Sequence, residues 1–423
     1  MSMDAHDLLP LLDWDRFVGE HWDRRVVHIR DCGRAPFLPA AVLRAAVRAA
    51  AADPSPMPYA QFTVERAQQA DPRPALPRAG ERTFADYARR LADVAGGRRH
   101  ALIVNRLHRF DAGLWRRERD WFAPLWARTG LPSGSAITTL FHGNYEHSPI
   151  GVHKDRFATF LFVLAGRKRM RFWPRRPWSD AVTTMLDYAA YLPESFAVEL
   201  GPGEALYWPA RFYHVGETAG ADAATSVNVG IPREDQHRRY DMDDLLPPAS
   251  PPPRRALPRR ASPPVCACVA VAVDIDRTLS APVPPAWREA LADLRHRCAA
   301  RTLATQARRT TLVRHGAGGF EPLPPAAARP VLRNGDRLRR VPGAQLLWSA
   351  APGAPVLVGA NGHVAQTALA ADVVARLFDA LDDGRDHGLR ALLGFARDAP
   401  ARQALRALLR DLVAWRALRR RRG

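Results

Sequence analysis

The stretch from about residue 137 to 231 consists of short apolar runs, rich in β-branched and aromatic residues and separated by glycine or proline. The runs are AITTLF, FATFLFVL, RMRFW, SFAVEL, EALYW and TSVNVGI. Several short strands at such spacing indicate an all-β sandwich or barrel and not alternating strands and helices. The pattern therefore predicts a β-barrel over about residues 131–246.

The region before the barrel carries helical patterns and isolated strands. LLDWDRFVGEHWDRRVVHIRDC predicts an amphipathic helix followed by a short strand, and PAAVLRAAVRAAA predicts a second helix. ALIVNRL, from Ala101, predicts a strand. We expect a mixed, helix-containing N-terminal part, about residues 1–130, that forms one domain with the barrel over residues 1–246.

A proline- and arginine-rich stretch from Pro247 to Pro264 follows the barrel. The prolines disfavour both α-helix and β-sheet hydrogen bonding, and the arginines repel one another. The stretch therefore predicts an extended linker. Beyond it we expect an intermediate region over residues 265–340. CACVAVAVDI predicts a strand there, and the residues around Trp287 to Thr305 predict a helix.

The last part of the chain, residues 341–423, combines a hairpin with helices. VLVGANGHVAQ predicts a hairpin on Asn361-Gly362, since Asn-Gly suits a type I′ turn. Three helical stretches follow, near Ala371–Leu381, His387–Phe395 and Ala401–Leu418. This order favours a winged-helix-like module.

At 423 residues the chain is too long for one ordinary domain. No apolar run approaches the length of a membrane-spanning helix, and the N-terminus has no basic region typical of a signal peptide, so we expect a cytoplasmic protein. The four cysteines are too few and too scattered for a disulfide framework. Cys266 and Cys268 lie in an apolar run, which favours buried thiols over a zinc site.

The net charge of +19 raises the affinity of a surface for phosphate. Of the 62 basic residues, however, only Lys154 and Lys168 are lysine, and the arginines are spread along the whole chain. A GC-rich coding sequence produces such a bias without any partner. The charge therefore does not by itself predict a specific nucleic-acid site.

The central motif is His153-Lys154-Asp155, with His214 at a distance of 61 residues. Residues i and i+2 of a strand project from one face, so His153 and Asp155 can point together into a barrel. Two imidazoles and one carboxylate form the facial triad of non-haem Fe(II) oxygenases, which leaves coordination positions free for a co-substrate and oxygen. Taken alone, an H-x-D tripeptide is a weak signal, because a structural or surface histidine is the commoner case.

The second element is Lys168 in KRMRFW, after a hairpin turn at Gly166. Strand alternation places Lys168, Met170 and Phe172 on one face. If that face is inward, a buried lysine requires an anion, and the distal carboxylate of 2-oxoglutarate is a natural one. A chain that uses arginine almost everywhere has a lysine here, as expected where a guanidinium does not fit. The alternative is a surface lysine on an edge strand.

Asn228 in TSVNVGI shares strand parity with Ser226 and Gly230. It would contact the co-substrate or a metal ligand if that face is inward. The alternative is an ordinary strand amide.

With these motifs the chain resembles the JmjC family of the cupin superfamily, particularly its asparaginyl and ribosomal-protein hydroxylases. The likeness lies in GNYEHSPIGVHKD, FATFLFVLAGRKRMRFWP, YWPARFYHVGE and SVNVGI, with a weaker match of DWDRFVGEHWDRRVVHIR, and spans about Asp13 to Pro232. The resemblance implies a mainly β fold with added helices, namely a double-stranded β-helix. It implies Fe(II) on His153, Asp155 and His214, and 2-oxoglutarate on Lys168, with O2 as the second co-substrate.

Carried over by the same resemblance, Asn228 occupies the position of the family's asparagine on the last barrel strand. Ile150 departs from the pattern, since some relatives have a co-substrate-binding threonine there, and Thr159 and Tyr145 are the alternatives. Aromatic side chains, Tyr145, Tyr207 and Trp208, are expected to line the pocket.

The resemblance further implies hydroxylation of a protein or peptide side chain. Three alternatives stay open: hydroxylation of a small natural-product intermediate, demethylation of an N-methyl group, and a non-catalytic cupin whose tail binds nucleic acid or peptide. The C-terminal region of related ribosomal oxygenases implies either a homodimer or a module that selects the substrate. No membrane partner is expected.

Overall fold

The structure is a computed structural model that describes residues 6–52, 59–132, 134–145, 150–220, 222–233, 292–326 and 330–422. The chain divides into two compact units, Met1–His237 with Thr311–Gly423, and Arg238–Thr310. The expected linker, Pro247–Pro264, and the expected strand with Cys266 and Cys268 lie outside the described residues. None of the described helices is long and apolar enough to cross a membrane.

The described residues up to 233 form strands and helices in the following order. The strands are β1 (Asp7–Leu11), β2 (Val27–Asp31), β3 (Ala60–Val64), β4 (Ala67–Gln68), β5 (His100–Asn105), β6 (Ile137–Gly143), β7 (Phe157–Ala165), β8 (Lys168–Trp173), β9 (Phe196–Leu200), β10 (Ala205–Trp208), β11 (Tyr213–Thr218) and β12 (Ala224–Pro232). The helices are α1 (Trp14–Arg16), which continues as a wider helical turn at Phe17–His21, α2 (Pro39–Ala50), α3 (Phe84–Ala95) and α4 (Ala112–Thr129).

Two sheets build the barrel. The larger has the order β1-β2-β10-β7-β12-β6-β5-β3-β4 and the smaller the order β11-β8-β9. From β6 onward the chain passes repeatedly between the two sheets, and residues 152 and 153 add a short antiparallel bridge, His153 with His214, at the edge of the smaller one. This alternation is that of a double-stranded β-helix, so the expected fold class is confirmed. Apolar side chains of both sheets, such as Leu161 and Phe172, pack together between them.

The N-terminal part, residues 1–130, carries helices and also short strands. It contributes β1 to β5, which extend the larger sheet at both edges. Its helices cover the outer face of that sheet, where Trp115 and Phe122 of α4 share one apolar core with Phe160 of β7 and Val229 of β12. Strands β2 and β5 lie where the sequence predicts strands, whereas β1, β3 and β4 are too short for a period-2 pattern to distinguish them from loops.

The C-terminal residues form a second core. Strands β13 (Arg337–Arg340), β14 (Leu346–Ser349), β15 (Val356–Ala360), β16 (His363–Thr367), β17 (His387–Gly388) and β18 (Leu418–Arg421) accompany helices α5 (Ala300–Ala317), α6 (Ala371–Asp382), α7 (Leu389–Leu393) and α8 (Ala399–Ala414). Asn361 and Gly362 join β15 to β16 with φ of 50° and 81°, as the expected type I′ hairpin requires.

The C-terminal module begins earlier than residue 341. Strand β13 is the central strand of the sheet β17-β13-β18, and Leu332 and Leu338 belong to the module's core. The boundary at 341 is therefore wrong, because it separates β13 from both of its partners. The winged-helix-like character stays a prediction. The helix expected near Trp287–Thr305 is described only from residue 292, where a short helix over 292–297 precedes α5.

Candidate metal centre and adjoining cavities

His153 and His214 are brought together by their own backbones. The His214 N–H donates to the His153 carbonyl over 2.8 Å and the His153 N–H donates to the His214 carbonyl over 3.1 Å. This reciprocal pair of hydrogen bonds holds the two imidazole centroids 4.5 Å apart. Asp155 lies two residues beyond His153, and its carboxylate reaches the same point.

The three side chains converge as the sequence predicts. Asp155 Oδ1 lies 3.7 Å from His153 Nε2, and Asp155 Oδ2 lies 3.5 Å from His214 Nε2. One ligand atom from each residue lies within 4.8 Å of the other two. Three donors this close surround a space that suits one metal ion.

Backbone carbonyls fix the orientation of both imidazoles. His153 Nδ1 lies 2.9 Å from the Gly151 carbonyl and His214 Nδ1 lies 3.3 Å from the Phe212 carbonyl. A carbonyl only accepts, so the neutral rings carry their protons on Nδ1 and present the Nε2 lone pairs to the centre. Both rings are therefore oriented as metal ligands before any ion binds.

The electrostatics of the three groups favour an ionised carboxylate. Burial alone would raise the pKa of Asp155, but hydrogen bonds and positive charge from the protonated forms of His153 and His214 hold it well below its usual range. Burial lowers the pKa of His214, and the charge of His153 adds to this against the effect of Asp155. Burial also acts to lower the pKa of His153, but Asp155 and the Gly151 carbonyl outweigh it and raise the value.

Gly151 allows the segment that carries His153 to approach its neighbour. Its φ is +71°, and a Cβ at this position would lie 2.3 Å from the Met185 carbonyl oxygen. The adjacent Val152 exchanges both backbone hydrogen bonds with Met185. Only glycine satisfies this conformation and this contact without strain.

Lys168 points into the barrel. Its side chain is 3% exposed, and Met170 and Phe172, which share its strand face, are equally buried. The ammonium group donates to the Tyr145 hydroxyl and lies 4.0 Å from the centroid of that ring. Among the described residues it forms no ion pair with a carboxylate. Burial lowers the pKa of Lys168 to about 7, against the charge of Glu217. A buried ammonium without a carboxylate partner is costly, and a bound anion would offset that cost.

Gly216 provides the space for Lys168. A Cβ at Gly216 would lie 3.2 Å from Lys168 Nζ and 3.2 Å from Met170 Sδ. Gly216 follows His214 by two residues, so strand alternation places it on the same face, and the sequence could have indicated this inward position.

An inner cavity of about 80 Å³ connects the three metal-ligand candidates to Lys168. Asn228 Oδ1 and Ser226 Oγ are buried in its wall without a hydrogen-bond partner among the described residues. The cavity is lined by Ile103, Phe141, Tyr145, Ile150, His153, Asp155, Leu161, Lys168, Met170, His214, Gly216, Ser226 and Asn228. The side chains of Asn228 and Ser226 therefore face the barrel interior.

An outer groove of about 370 Å³ opens on His153 and Asp155 of the same cluster. It shares Ile103, Phe141, Ile150, His153, Asp155 and Asn228 with the inner cavity. Its further lining residues are Gln61, Asn105, Ile137, Thr139, Phe157, Thr159 and Gly230. Gln61 and Asn105 come from β3 and β5, and no sequence motif marked either of them.

The remaining aromatic and hydroxyl side chains that the sequence assigned to the site lie in different places, and not all of them line a cavity. Tyr145 lies beside Lys168, whereas Thr159 lines only the outer groove. Tyr207 does not line the site, because on β10 it faces the outer core and its hydroxyl accepts from the Asp23 N–H. Trp208, the next residue of β10, faces the other side of the sheet, and its ring centroid lies 5.1 Å from that of His214.

Comparison with known proteins gives structural likeness only. No protein-family model and no curated protein matches the chain. An X-ray structure of Escherichia coli YcfD is 17% identical, covers 97% of this chain and 98% of that chain, and has a TM-score of 0.49. YcfD described as a ribosomal oxygenase in complex with cobalt and 2-oxoglutarate is 16% identical, with 97% and 98% covered and a TM-score of 0.48.

The same protein with cobalt and succinic acid is 16% identical, with 97% and 98% covered and a TM-score of 0.47. At these identities and TM-scores the likeness carries no argument about chemistry. The fold assignment depends on the strand order, and the functional assignment on the side chains described above.

Removal of a triad side chain is expected to abolish binding of a divalent ion. Asp155→Ala and His214→Ala should each weaken Co(II) affinity more than about 100-fold, since even outer partners of metal ligands typically contribute 10–100-fold. Calorimetric titration of Co(II) into the metal-free protein measures this. His296→Ala, at an exposed helical position, is the control and should bind as the wild type does. Unchanged affinity in either triad variant would remove the basis for a metal site here.

Proposed function

We propose that the protein is an Fe(II)- and 2-oxoglutarate-dependent dioxygenase that hydroxylates a protein or peptide side chain. The observation that carries the proposal is the joint presence, around one small cavity, of a His-Asp-His cluster and a buried lysine with no carboxylate partner among the described residues. Neither feature alone separates an oxygenase from a metal-binding cupin.

The donor set fits iron. His153, Asp155 and His214 supply two imidazole nitrogens and one carboxylate oxygen, which is the ligand set of non-haem Fe(II) oxygenases. A structural zinc site would be expected to have four protein ligands, and the described residues place only these three together. Three ligands leave positions for a co-substrate and for O2.

The inner cavity fits 2-oxoglutarate. Its volume of about 80 Å³ is several times the roughly 10–15 Å³ that one water needs. Its wall holds the metal-ligand candidates together with the Lys168 ammonium and the Tyr145 hydroxyl. A short dicarboxylic acid could then bind the metal through its 2-oxo acid group and place its distal carboxylate on Lys168 and Tyr145. The free Asn228 Oδ1 and Ser226 Oγ then face the middle of the co-substrate.

With Fe(II) held by the His-Asp-His cluster and 2-oxoglutarate on Lys168, the site would couple oxidative decarboxylation of the co-substrate by O2 to hydroxylation of a substrate C–H bond, with succinate and CO2 as the other products. The chain's own side chains bind, orient and exclude water. Lys168 neutralises the distal carboxylate, and the Gly151 and Phe212 carbonyls keep the imidazole Nε2 atoms directed at the metal. Apolar walls, including Leu161 and Met170, limit access of water to the reacting centre.

A peptide substrate is supported by the outer groove. It is larger than the inner cavity and reaches Asp155 directly, and its wall includes the side-chain amides of Gln61, Asn105 and Asn228. Amides donate and accept, as an extended peptide backbone requires. Gln61 also lines a neighbouring concavity of about 610 Å³, which lengthens the surface available to a polypeptide.

Lys168→Met is expected to raise the KM for 2-oxoglutarate roughly tenfold to a hundredfold, because it removes a charged hydrogen bond while keeping the side-chain volume. The measurement is succinate formation by purified protein with Fe(II) and ascorbate, which proceeds slowly even without the true substrate. Arg167→Met, one residue earlier and exposed, is the matched control and should leave the KM unchanged. No succinate from the wild-type protein would favour a non-catalytic cupin instead.

Affinity for 2-oxoglutarate is expected to fall as the pH rises above about 7. The folded-state pKa of Lys168 is depressed to about 7, so the ammonium is charged below that pH and must be reprotonated for binding above it. Each further unit should weaken binding by up to about tenfold. Titration of 2-oxoglutarate into the Mn(II)-loaded protein, with the Lys168→Met variant as control, measures the effect. Equal affinity across this range would contradict a neutral lysine in the free site.

The substrate class is tested in cells. Intact masses of peptides and proteins from strains with and without the gene should differ by one oxygen atom in a protein target, since hydroxylation inserts one oxygen. A variant with Asp155→Ala should give the unmodified mass, at unchanged protein level. An oxygen-dependent difference confined to small metabolites would instead support the natural-product alternative.

A further inference from the structure

A separate groove of about 820 Å³ lies between α4, the end of α5 and the turn that joins β13 to β14. Much of its wall is formed by small or apolar side chains, namely Ala123, Ala127, Leu131, Ala344, Leu346 and Leu347. It shares no lining residue with the inner cavity or the outer groove at the metal centre. Its volume is that of an ordinary small-molecule site.

A buried arginine without a counterion lies in this groove. Arg119 is 7% exposed, and within the described part of the chain its guanidinium forms no ion pair and no hydrogen bond. Its Nε and Nη1 are buried without an acceptor, and its one described contact with a polar or aromatic group is the Trp115 ring, 4.4 Å from Cζ. A buried cation left this way is costly unless an anion binds it.

A second donor without an acceptor lies beside Arg119. Trp126 is 8% exposed, and no described atom accepts from its Nε1–H. The same pair of glycines covers both groups: a Cβ at Gly318 would lie 2.6 Å from Arg119 Nε, and a Cβ at Gly319 would lie 3.2 Å from Trp126 Nε1. Two residues with unsatisfied donors thus line one groove, which suits a ligand that carries an acceptor group.

The charge of the groove limits what that acceptor is. Arg340, also in the wall, is already paired with Asp382, and the remaining acidic wall residue, Asp120, is exposed. His315, also in the wall, is exposed, so Arg119 is the one buried cation of the wall without a carboxylate partner among the described residues. A single buried guanidinium suits a monoanion such as a carboxylate. The apolar wall suits an attached hydrocarbon or aromatic body.

We infer that this groove binds a small organic monocarboxylate, with its carboxylate on Arg119 and Trp126 Nε1 and its apolar body against the alanine and leucine wall. The site is independent of the proposed oxygenase chemistry. Its ligand would bridge α4, which packs on the barrel, and the β13–β14 connection of the C-terminal module.

Octanoate serves as the probe, with octanamide as its uncharged counterpart and inorganic phosphate as an anion without an apolar body. Octanoate should bind the full-length protein by calorimetry and raise its Tm, and octanamide and phosphate should do neither at equal concentration. Arg119→Met should weaken octanoate binding roughly tenfold to a hundredfold. Its Tm without ligand should equal or exceed that of the wild type, because an unpaired buried charge is replaced by an apolar side chain.

Trp126→Phe keeps the ring and removes the N–H, so octanoate binding should weaken about threefold to tenfold. If Arg119→Met does not fold, Trp126→Phe still tests the proposal. Arg128→Met, on the same helix but paired with Asp15, is the matched control and should bind octanoate as the wild type does. The proposal is overturned if octanoate does not bind the wild type, if octanamide or phosphate binds equally well, or if neither Arg119→Met nor Trp126→Phe weakens binding.

Discussion

The reciprocal backbone hydrogen bonds between His153 and His214 are the constraint on which the site depends. They close the edge of the smaller sheet with a single bridge, and that bridge sets the spacing of two imidazoles that are far apart in sequence. Strand geometry then delivers Asp155 to the same point. Because each ring also donates Nδ1–H to a backbone carbonyl, the orientation of the nitrogen donors is fixed by the main chain and not by the metal. The site is therefore organised before an ion arrives, which keeps the cost of reorganisation on binding low.

Burial in the barrel interior sets the chemistry of Lys168. Its side chain is 3% exposed, and the neighbouring Tyr145 hydroxyl accepts one hydrogen bond without neutralising the charge. Burial accordingly destabilises the charged form, and a carboxylate that enters the cavity restores it. Gly216 has no side chain, and this leaves room for the Lys168 ammonium. The same reasoning applies to Arg119 on the other side of the larger sheet, where a buried cation again lacks an acceptor among the described residues.

The sequence predicted the barrel and the centre of the site because both depend on local rules. Strand alternation places Lys168 on one face with the apolar Met170 and Phe172, and the two-residue spacing in the H-x-D motif places both donors on one side. Which face points inward was settled only by the structure. The rest depends on tertiary contacts that no local pattern encodes. Tyr207 was assigned to the pocket although its parity on β10 directs it to the outer core, and Gln61 reaches the groove only because β3 pairs beyond β5 at the sheet edge. The start of the C-terminal module was misplaced for a similar reason, since the pairing of β13 with β18 joins segments distant in sequence.

The central claim is that one ferrous ion and one 2-oxoglutarate molecule bind together between the His-Asp-His cluster and Lys168. Anaerobic titration of 2-oxoglutarate into the Fe(II)-loaded protein, followed by visible absorption, tests it most directly, because a 2-oxo acid chelated to Fe(II) gives a metal-to-ligand charge-transfer band. The account predicts a saturable band with one equivalent of co-substrate in the wild type, and no band in Asp155→Ala. No band in the wild type with iron bound, or a band that persists unchanged in Asp155→Ala, would contradict it.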